Sequence, residues 1–441
     1  MKSTVCGFIF RNPLITLFSF GFIFHAVSVL YVTRADYISY TLMYGGFVML
    51  AYVCSRAVLG SPVSRVLSRT TRYLDLPAKS WINLLGDIFI FVFPVVYFGL
   101  AGRVPAYEML VSTDYYVSSG LRHDFHDGIP TVMSYAGEYY IKAVAPLWLL
   151  YSSINRRPVF WPLAVYLGLV ALAMITKSVV VIIFLPTLVY QLFSKKWAPA
   201  AVSALIVVGT VYGNILLQDK SLSAPRTFQT NAQGERIGTA AQGERIGTTA
   251  QGETIYPTNE RGASLLERVL GLSRGIYVAS DAILTRLFYV HGLTVKFWMD
   301  SYTTDFPIEN GCGYRWYASL AGCQFVYIPE KISLKYFPDL HARGVGGSVS
   351  SANYVNAFAN FGVWGVIIAG LLTGLLLGLL TVAFPNPVIA IAVNATSIAL
   401  TFENTLSILL NSGGWALFVV LAVLFLPTTP PLASKATVRP S

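Results

Sequence analysis

The chain is 441 residues long, 55% hydrophobic and only 12% charged, with a formal net charge of +10. Runs such as Leu14 to Tyr31 and Val363 to Ala383 hold no Asp, Glu, Lys or Arg, a pattern that excludes a soluble enzyme and defines a polytopic membrane protein. Each span in lipid must close its own backbone hydrogen bonds, and the alternating strands of a membrane barrel are absent, so the expected fold class is all-α.

In chain order, the apolar segments predict ten transmembrane helices at residues 13–31, 37–54, 81–101, 131–152, 158–176, 178–194, 198–217, 354–383, 388–410 and 412–427. They divide the chain into a seven-span region (1–217), a large polar loop (218–353) and a three-span region with a tail (354–441). Loop 55–80 carries Arg56, Arg65, Arg69, Arg72 and Lys79 against Asp75. Arg156 and Arg157 follow the fourth span, Lys195 and Lys196 follow the sixth, and Lys435 and Arg439 lie in the tail. Lys and Arg collect on the cytoplasmic side, so these loops and both termini are expected inside, with the first span as a signal anchor. Loop 102–130, bearing Glu108, Asp114, Asp124 and Asp127, and loop 218–353 are expected outside, in the periplasm. The positive balance is thus a topology signal. A nucleic-acid partner is not expected, because binding one requires a continuous basic patch.

Within the first outer loop, Arg122-His-Asp-Phe-His-Asp127 would place His123 with His126, and Asp124 with Asp127, on shared faces of a helix. That is acid–base or metal-ligand geometry, whereas the following Gly128 and Pro130 favour a hydrated loop. No metal site is expected. Inside the spans, Asp87, Glu138, Lys142, Lys177 and Glu403 need partners, since burial in lipid makes ionisable groups costly. Glu138 and Lys142 stand four apart and can pair.

The long loop is not uniform. Residues 232–258 are three copies of a nine-residue unit beginning Ala-Gln-Gly-Glu, polar units without an apolar face and too few for a solenoid, expected to form a mobile insert without catalysis. From Ser264 the spacing of Leu265, Leu266, Val269, Leu270, Ala279, Ile283, Leu287 and Phe288 predicts amphipathic helices on the membrane surface. Arg268, Arg274, Arg286 and His291 project from their polar sides. Next come Trp298, Tyr302, Phe306, Tyr314, Trp316, Tyr317, Phe325 and Tyr327, either stacking platforms for sugars or a cap whose rings pack on one another. Cys312 and Cys323 are expected to form a disulfide in this oxidising compartment, worth about 2–3 kcal/mol. Zinc is disfavoured there, as no second ligand pair stands at suitable spacing. Cys6 and Cys54 fall on the inner side and are expected free.

Just before the eighth span stands Tyr336-Phe-Pro-Asp-Leu-His-Ala-Arg-Gly-Val-Gly-Gly, leading into Asn353-Tyr-Val-Asn-Ala-Phe-Ala-Asn-Phe-Gly-Val-Trp-Gly365. A Gly-rich outer loop entering such a helix resembles the Wzy-type oligosaccharide repeat-unit polymerases and, more distantly, the O-antigen ligases, both membrane glycosyltransferases of the GT-C class. In ligases a His-Asn pair precedes the glycine of the Gly362 type by about ten positions. Ser351-Ala352 stand there instead, and the nearest upstream histidine is His341, a departure that favours polymerase over ligase. The resemblance implies a bacterial inner-membrane enzyme that transfers a growing glycan from polyprenyl diphosphate to a sugar hydroxyl of the incoming lipid-linked repeat unit. Its partners would be the lipid-linked oligosaccharide, the membrane, a chain-length regulator and a flippase. No cofactor is implied, because activation is stored in the diphosphate leaving group.

Arg binds phosphate bidentately, which makes Arg268, Arg274, Arg286, Arg315 and Arg343 the diphosphate candidates, Arg286 and Arg343 foremost. Acidic residues in an early outer loop of GT-C enzymes raise Asp124 and Asp127 as base candidates, and His341 is the remaining catalytic candidate. The alternatives are ligase-type transfer and a transporter or flippase. A transporter would show spans repeated across two halves, and no such duplication is visible. Along the last spans, Asn394, Ser397, Thr401 and Asn404 form a stripe read as interhelical hydrogen bonding or a substrate path, and Gly370, Gly374 and Gly378 are read as close helix packing.

Overall fold

A computed structural model describes residues 11–33, 35–70, 80–111, 125, 129–219, 229–230, 236–237, 285, 289–342 and 347–426. Apart from a two-residue antiparallel pairing of Gln229–Thr230 with Arg236–Ile237, the regular structure in these residues is helical. Helices α1 (Pro13–Thr33), α2 (Ile38–Thr70) and α3 (Ser80–Ala101) are followed by the short α4 (Pro105–Val111). Helices α5 (Thr131–Tyr139) and α6 (Ala145–Ile154) are joined by a π-helical turn, Tyr140–Val144. Helices α7 (Phe160–Ala173), α8 (Lys177–Phe193) and α9 (Trp197–Asp219) complete the first half.

Among the described residues, five stretches are long and apolar enough to cross a membrane: Pro13–Thr33, Ile38–Val58, Trp81–Ala101, Trp197–Asn214 and Asn353–Ala383. Four shorter apolar helices accompany them, Phe160–Ala173, Ser178–Phe193, Pro387–Leu400 and Trp415–Phe425.

Three expected spans are not single regular helices. The segment expected at 131–152 is interrupted by its π turn, and Ala145-Pro146 directly follows. The segment expected at 354–383 is α14 (Asn353–Ala383), broken at Gly362, whose φ of 60° and ψ of −145° lie outside the helical region. Gly365, one turn on, lets the chain fold back tightly, since a Cβ there would sit 2.5 Å from the carbonyl carbon of Ala357. The segment expected at 388–410 is two helices, α15 (Pro387–Leu400) and α16 (Leu406–Leu410), separated by a turn through Thr401-Phe-Glu-Asn-Thr405. Helix α17 (Trp415–Phe425) closes the described chain.

The longest contact in the core runs α14 along α2. Gly370, Gly374 and Gly378 allow it: a Cβ at these positions would approach Phe47 Cβ at 2.8 Å, Ala51 Cβ at 2.8 Å and Ser55 Cβ at 2.9 Å. Close helix packing is therefore their role. Three of the ionisable residues expected in the spans, Glu138, Lys142 and Asp87, have polar partners. Glu138 bridges to Lys142, and Lys142 Nζ also donates to Ser412 O at 3.2 Å. Asp87 receives both guanidinium nitrogens of Arg157, at 3.1 and 2.5 Å, and Trp148 Nε1 at 2.8 Å. Asn394 Oδ1 accepts from Trp415 Nε1 at 2.8 Å, so interhelical bonding is what this member of the stripe does.

Candidate functional site

From the long loop, helix α10 (His291–Asp300) returns to the bundle and lies against α1. Gly292 makes that approach possible, because a Cβ would stand 2.7 Å from the carbonyl carbon of Ser28, and its N–H donates to Ser28 Oγ at 2.8 Å. Tyr37, in the turn after α1, donates to Asp300 Oδ1 at 2.6 Å, and Lys296 also holds Asp300. Both ends of α10 are thus fixed to the first two spans.

This docking brings two histidines together. His25, 2% exposed, stands with its ring centroid 6.0 Å from that of His291 and stacks on Phe402 at 5.1 Å. Phe402 enters because position 21 is glycine; a Cβ there would lie 2.9 Å from its ring. His25 Nε2 meets the Tyr354 hydroxyl at 3.1 Å, and that hydroxyl meets Thr41 Oγ1 at 2.7 Å. Tyr44 stacks beneath Tyr354 at 5.0 Å and donates to Thr373 Oγ1 at 3.2 Å. His25 Nδ1 is buried without a hydrogen-bond partner among the described residues. On the other side, His291 Nε2 stands 3.8 Å from Glu403 Oε1.

A groove of about 320 Å³ ends on this pair. Leu17, Phe20, Phe24, Ile398 and Phe402 form its walls, with His25 and His291 as its only ionisable lining among the described residues. Phe20 is 63% exposed, on a helix long and apolar enough to span, so the groove opens where acyl chains would lie. Apolar walls leading to two imidazoles suit a ligand with a hydrocarbon tail and a polar head.

The aromatic cap is built beside α14. Helix α11 (Arg315–Ala321) lies inside the Cys312–Cys323 disulfide, whose Cα atoms are 6.1 Å apart. The cap terminates the first half of α14: Glu309 and Gly311 N–H groups donate to Ala359 and Asn360 carbonyls, each at 3.0 Å, and Asn360 Oδ1 accepts Gly313 N–H at 2.8 Å. Trp298 is buried with Nε1 on Val349 O at 2.9 Å, Tyr302 donates to Glu309 at 2.8 Å, and Tyr314 stacks on Phe361. Burial first, then the Glu309 carboxylate, pushes the Tyr302 phenol far up; burial does the same to Tyr314. These rings pack on the protein, which answers the open question for them, while Trp316 and Tyr327 remain exposed.

Of the sequence-derived candidates, Asp124, Asp127, Arg268, Arg274, Arg286 and Arg343 lie outside the described residues. Cys6 does too, whereas Cys54 is free and exposed. Arg315 lies over the Phe325 ring at 5.0 Å. His341 sits on helix α13 (Pro338–Ala342) and pairs its Nε2 with Ser333 Oγ at 3.0 Å, on α12 (Ile328–Tyr336). Neither lines the groove. Sequence reasoning passed over His25, although an ionisable residue inside a span is the signal that marks it. It named His291 and Glu403 separately without joining them. No group of three His, Cys, Asp or Glu suited to a metal ion occurs among the described residues.

The fold and this groove define a helical membrane protein. Comparison with protein-family models, with characterised proteins and with solved structures finds no match to the chain.

Proposed function

We propose that this protein is a ten-span membrane glycosyltransferase of the bacterial inner membrane, with both termini cytoplasmic and loop 218–353 periplasmic. It would polymerise polyprenyl-diphosphate-linked oligosaccharide repeat units. The observation that carries the reading is the groove on α1 and α15, apolar along its walls and ending on His25 and His291, with Glu403 3.8 Å from His291. A lipid-linked glycan presents the same succession of prenyl chain, charged head and sugar. In the reaction, a hydroxyl of the incoming unit attacks the anomeric carbon of the growing chain. The bond to the diphosphate breaks, the diphosphate keeps the electron pair, and the hydroxyl proton passes to a base. His291, oriented by Glu403, takes that proton in this scheme, and His25 fixes the acceptor. The diphosphate falls to Arg268, Arg274, Arg286 and Arg343, with Arg286 five positions before His291 in the sequence.

Deletion of the gene is expected to leave surface glycan at a single repeat unit, and His291→Ala and Glu403→Gln to reproduce that at normal protein levels. Full-length but unattached chains would indicate a ligase, and units stranded inside the cell a flippase. Wild-type chain length in both variants would remove these two residues from the mechanism.

A further inference from the structure

The geometry points to a second site, a binding pocket for the phosphate headgroup of an anionic phospholipid, where α6 turns into α7 and α8 into α9. A cavity of about 490 Å³ lies there, lined by Ser152, Ser153, Arg156, Arg157, Lys196 and Trp197 among others. Among the described residues no carboxylate lines it. Arg157 is already matched by Asp87. Arg156 and Lys196 make no ion pair among the described residues: Arg156 is exposed on a left-handed turn at φ 51°, and Lys196 Nζ donates to Ser153 O at 3.2 Å and to Tyr190 Oη at 3.4 Å. The cavity therefore holds two cations without counter-charge.

A second observation asks for an acceptor. Ser152 is 0% exposed, lines the cavity, and its hydroxyl has no hydrogen-bond partner among the described residues. A buried hydroxyl left unpaired is costly, while its neighbour Ser153 Oγ is satisfied by Gln191 Nε2 at 3.1 Å. A phosphate oxygen supplies what Ser152, Arg156 and Lys196 all lack. The source is set by the walls: Trp161 and Trp197, 43% and 67% exposed, flank the cavity as tryptophans do at the headgroup level. Basic pockets between spans at that level hold anionic lipid heads. A lipid bound there would tie α6–α7 to α8–α9 at the bundle's edge, and this site is independent of the polymerase reading.

The test is titration of the full-length protein in detergent with phosphatidylglycerol or phosphatidylcholine, read by native mass spectrometry. One phosphatidylglycerol is expected to stay bound in preference to phosphatidylcholine. Arg156→Asn combined with Lys196→Gln removes both charges, asparagine being chosen because it tolerates the left-handed backbone. Each charge near an anionic headgroup is worth about fivefold in affinity, so the double variant is expected to bind on the order of 25-fold more weakly. Ser152→Ala is expected to weaken phosphatidylglycerol binding while leaving the lipid-free melting temperature unchanged or raised, an outcome that a purely structural serine would not give. Equal retention of both lipids, or a double variant that is well folded and binds as wild type does, would overturn the proposal. So would displacement of the lipid by millimolar glycerol phosphate or inorganic phosphate, which would assign the pocket to a free anion.

Discussion

Gly292→Ala is the substitution that separates the loop from the bundle with the fewest atoms. The added methyl would lie 2.7 Å from the Ser28 carbonyl carbon and 2.8 Å from Val32 Cγ2. Carbon atoms pack at about 3.5–4.0 Å, so α10 must withdraw by roughly 1 Å. The Ser28 atom is backbone in the middle of a helix, and no rotamer change relieves the overlap. Withdrawal stretches the 2.8 Å bond from Gly292 N to Ser28 Oγ, at about 1 kcal/mol, and overpacking adds about 1–3 kcal/mol. The same displacement carries His291 away from His25, and a 1 Å error in a reacting geometry costs on the order of a hundredfold in rate. Gly46→Ala is the control, because a Cβ there meets nothing within 4 Å and alanine favours a helix over glycine by about 1 kcal/mol. Thermal unfolding of the purified proteins and glycan length in a deletion strain read the two effects. If Gly292→Ala melted with the wild type and supported normal chain length, the docking of α10 on Ser28 and its place in the site would both be refuted.

Reducing the Cys312–Cys323 bond, or replacing both cysteines by serine, is expected to lower stability by about 2–3 kcal/mol, seen as a drop in melting temperature; alkylation before reduction should leave both residues unlabelled. Asp87→Ala strands Arg157 and removes the acceptor of Trp148, at about 3 kcal/mol, and the double change Asp87→Asn with Arg157→Gln should recover most of that in a denaturation series. Asp305 is held below the usual carboxylate range, first by its hydrogen bond from Lys335, and Lys335 is raised because that bond and Tyr336 outweigh its own burial. The pair thus adds stability above the unfolded carboxylate pKa of about 4 and below the unfolded lysine pKa of about 10. The melting difference between wild type and Asp305→Asn should shrink as pH falls through the depressed carboxylate pKa; a constant difference from neutral pH into that range would contradict the ion pair.

Helix positions were readable because lipid leaves the backbone no alternative: the ends of α1, α3 and α9 fall within two residues of those expected from hydropathy. The glycine repeat of α14 was readable from its spacing, and the disulfide from two cysteines close together in a loop expected on the oxidising side. The breaks were not. Gly362 sits in a run as apolar as any span, and what allows the chain to leave the helix there is the cap, donated by residues some fifty positions upstream in the Cys312 loop. The site had the same difficulty. His25, His291 and Glu403 come from three distant segments, and their meeting depends on Gly21 and Gly292, two positions where the side chain is absent. Of the arginines that drew attention, Arg315 is used in packing against Phe325. The residues near 353–362 that carry the resemblance prove to be buried and bonded to the cap and the neighbouring helices.

That last arrangement explains how a broken helix persists beside the groove. Irregular backbone at membrane depth is tolerated only where protein or a cavity satisfies it, and Asn353 does so for the turn that ends α15. Its N–H donates to Thr401 O at 3.0 Å, its Oδ1 accepts Leu406 N–H at 2.9 Å, and its Nδ2 reaches Thr373 Oγ1 at 3.3 Å. Asn353 therefore pairs both ends of the 401–405 turn, one through its own N–H and one through its Oδ1, and its Nδ2 ties them to the packing face against α2. The turn in question carries Phe402, one wall of the groove, and Glu403, which stands 3.8 Å from His291. A continuous helix from 388 to 410 would carry its polar run through the bundle without needing Asn353 at all. Breaking it lets the carboxylate face His291 while the backbone stays satisfied, so the polar residues of the resembling segment support the site from behind rather than entering it.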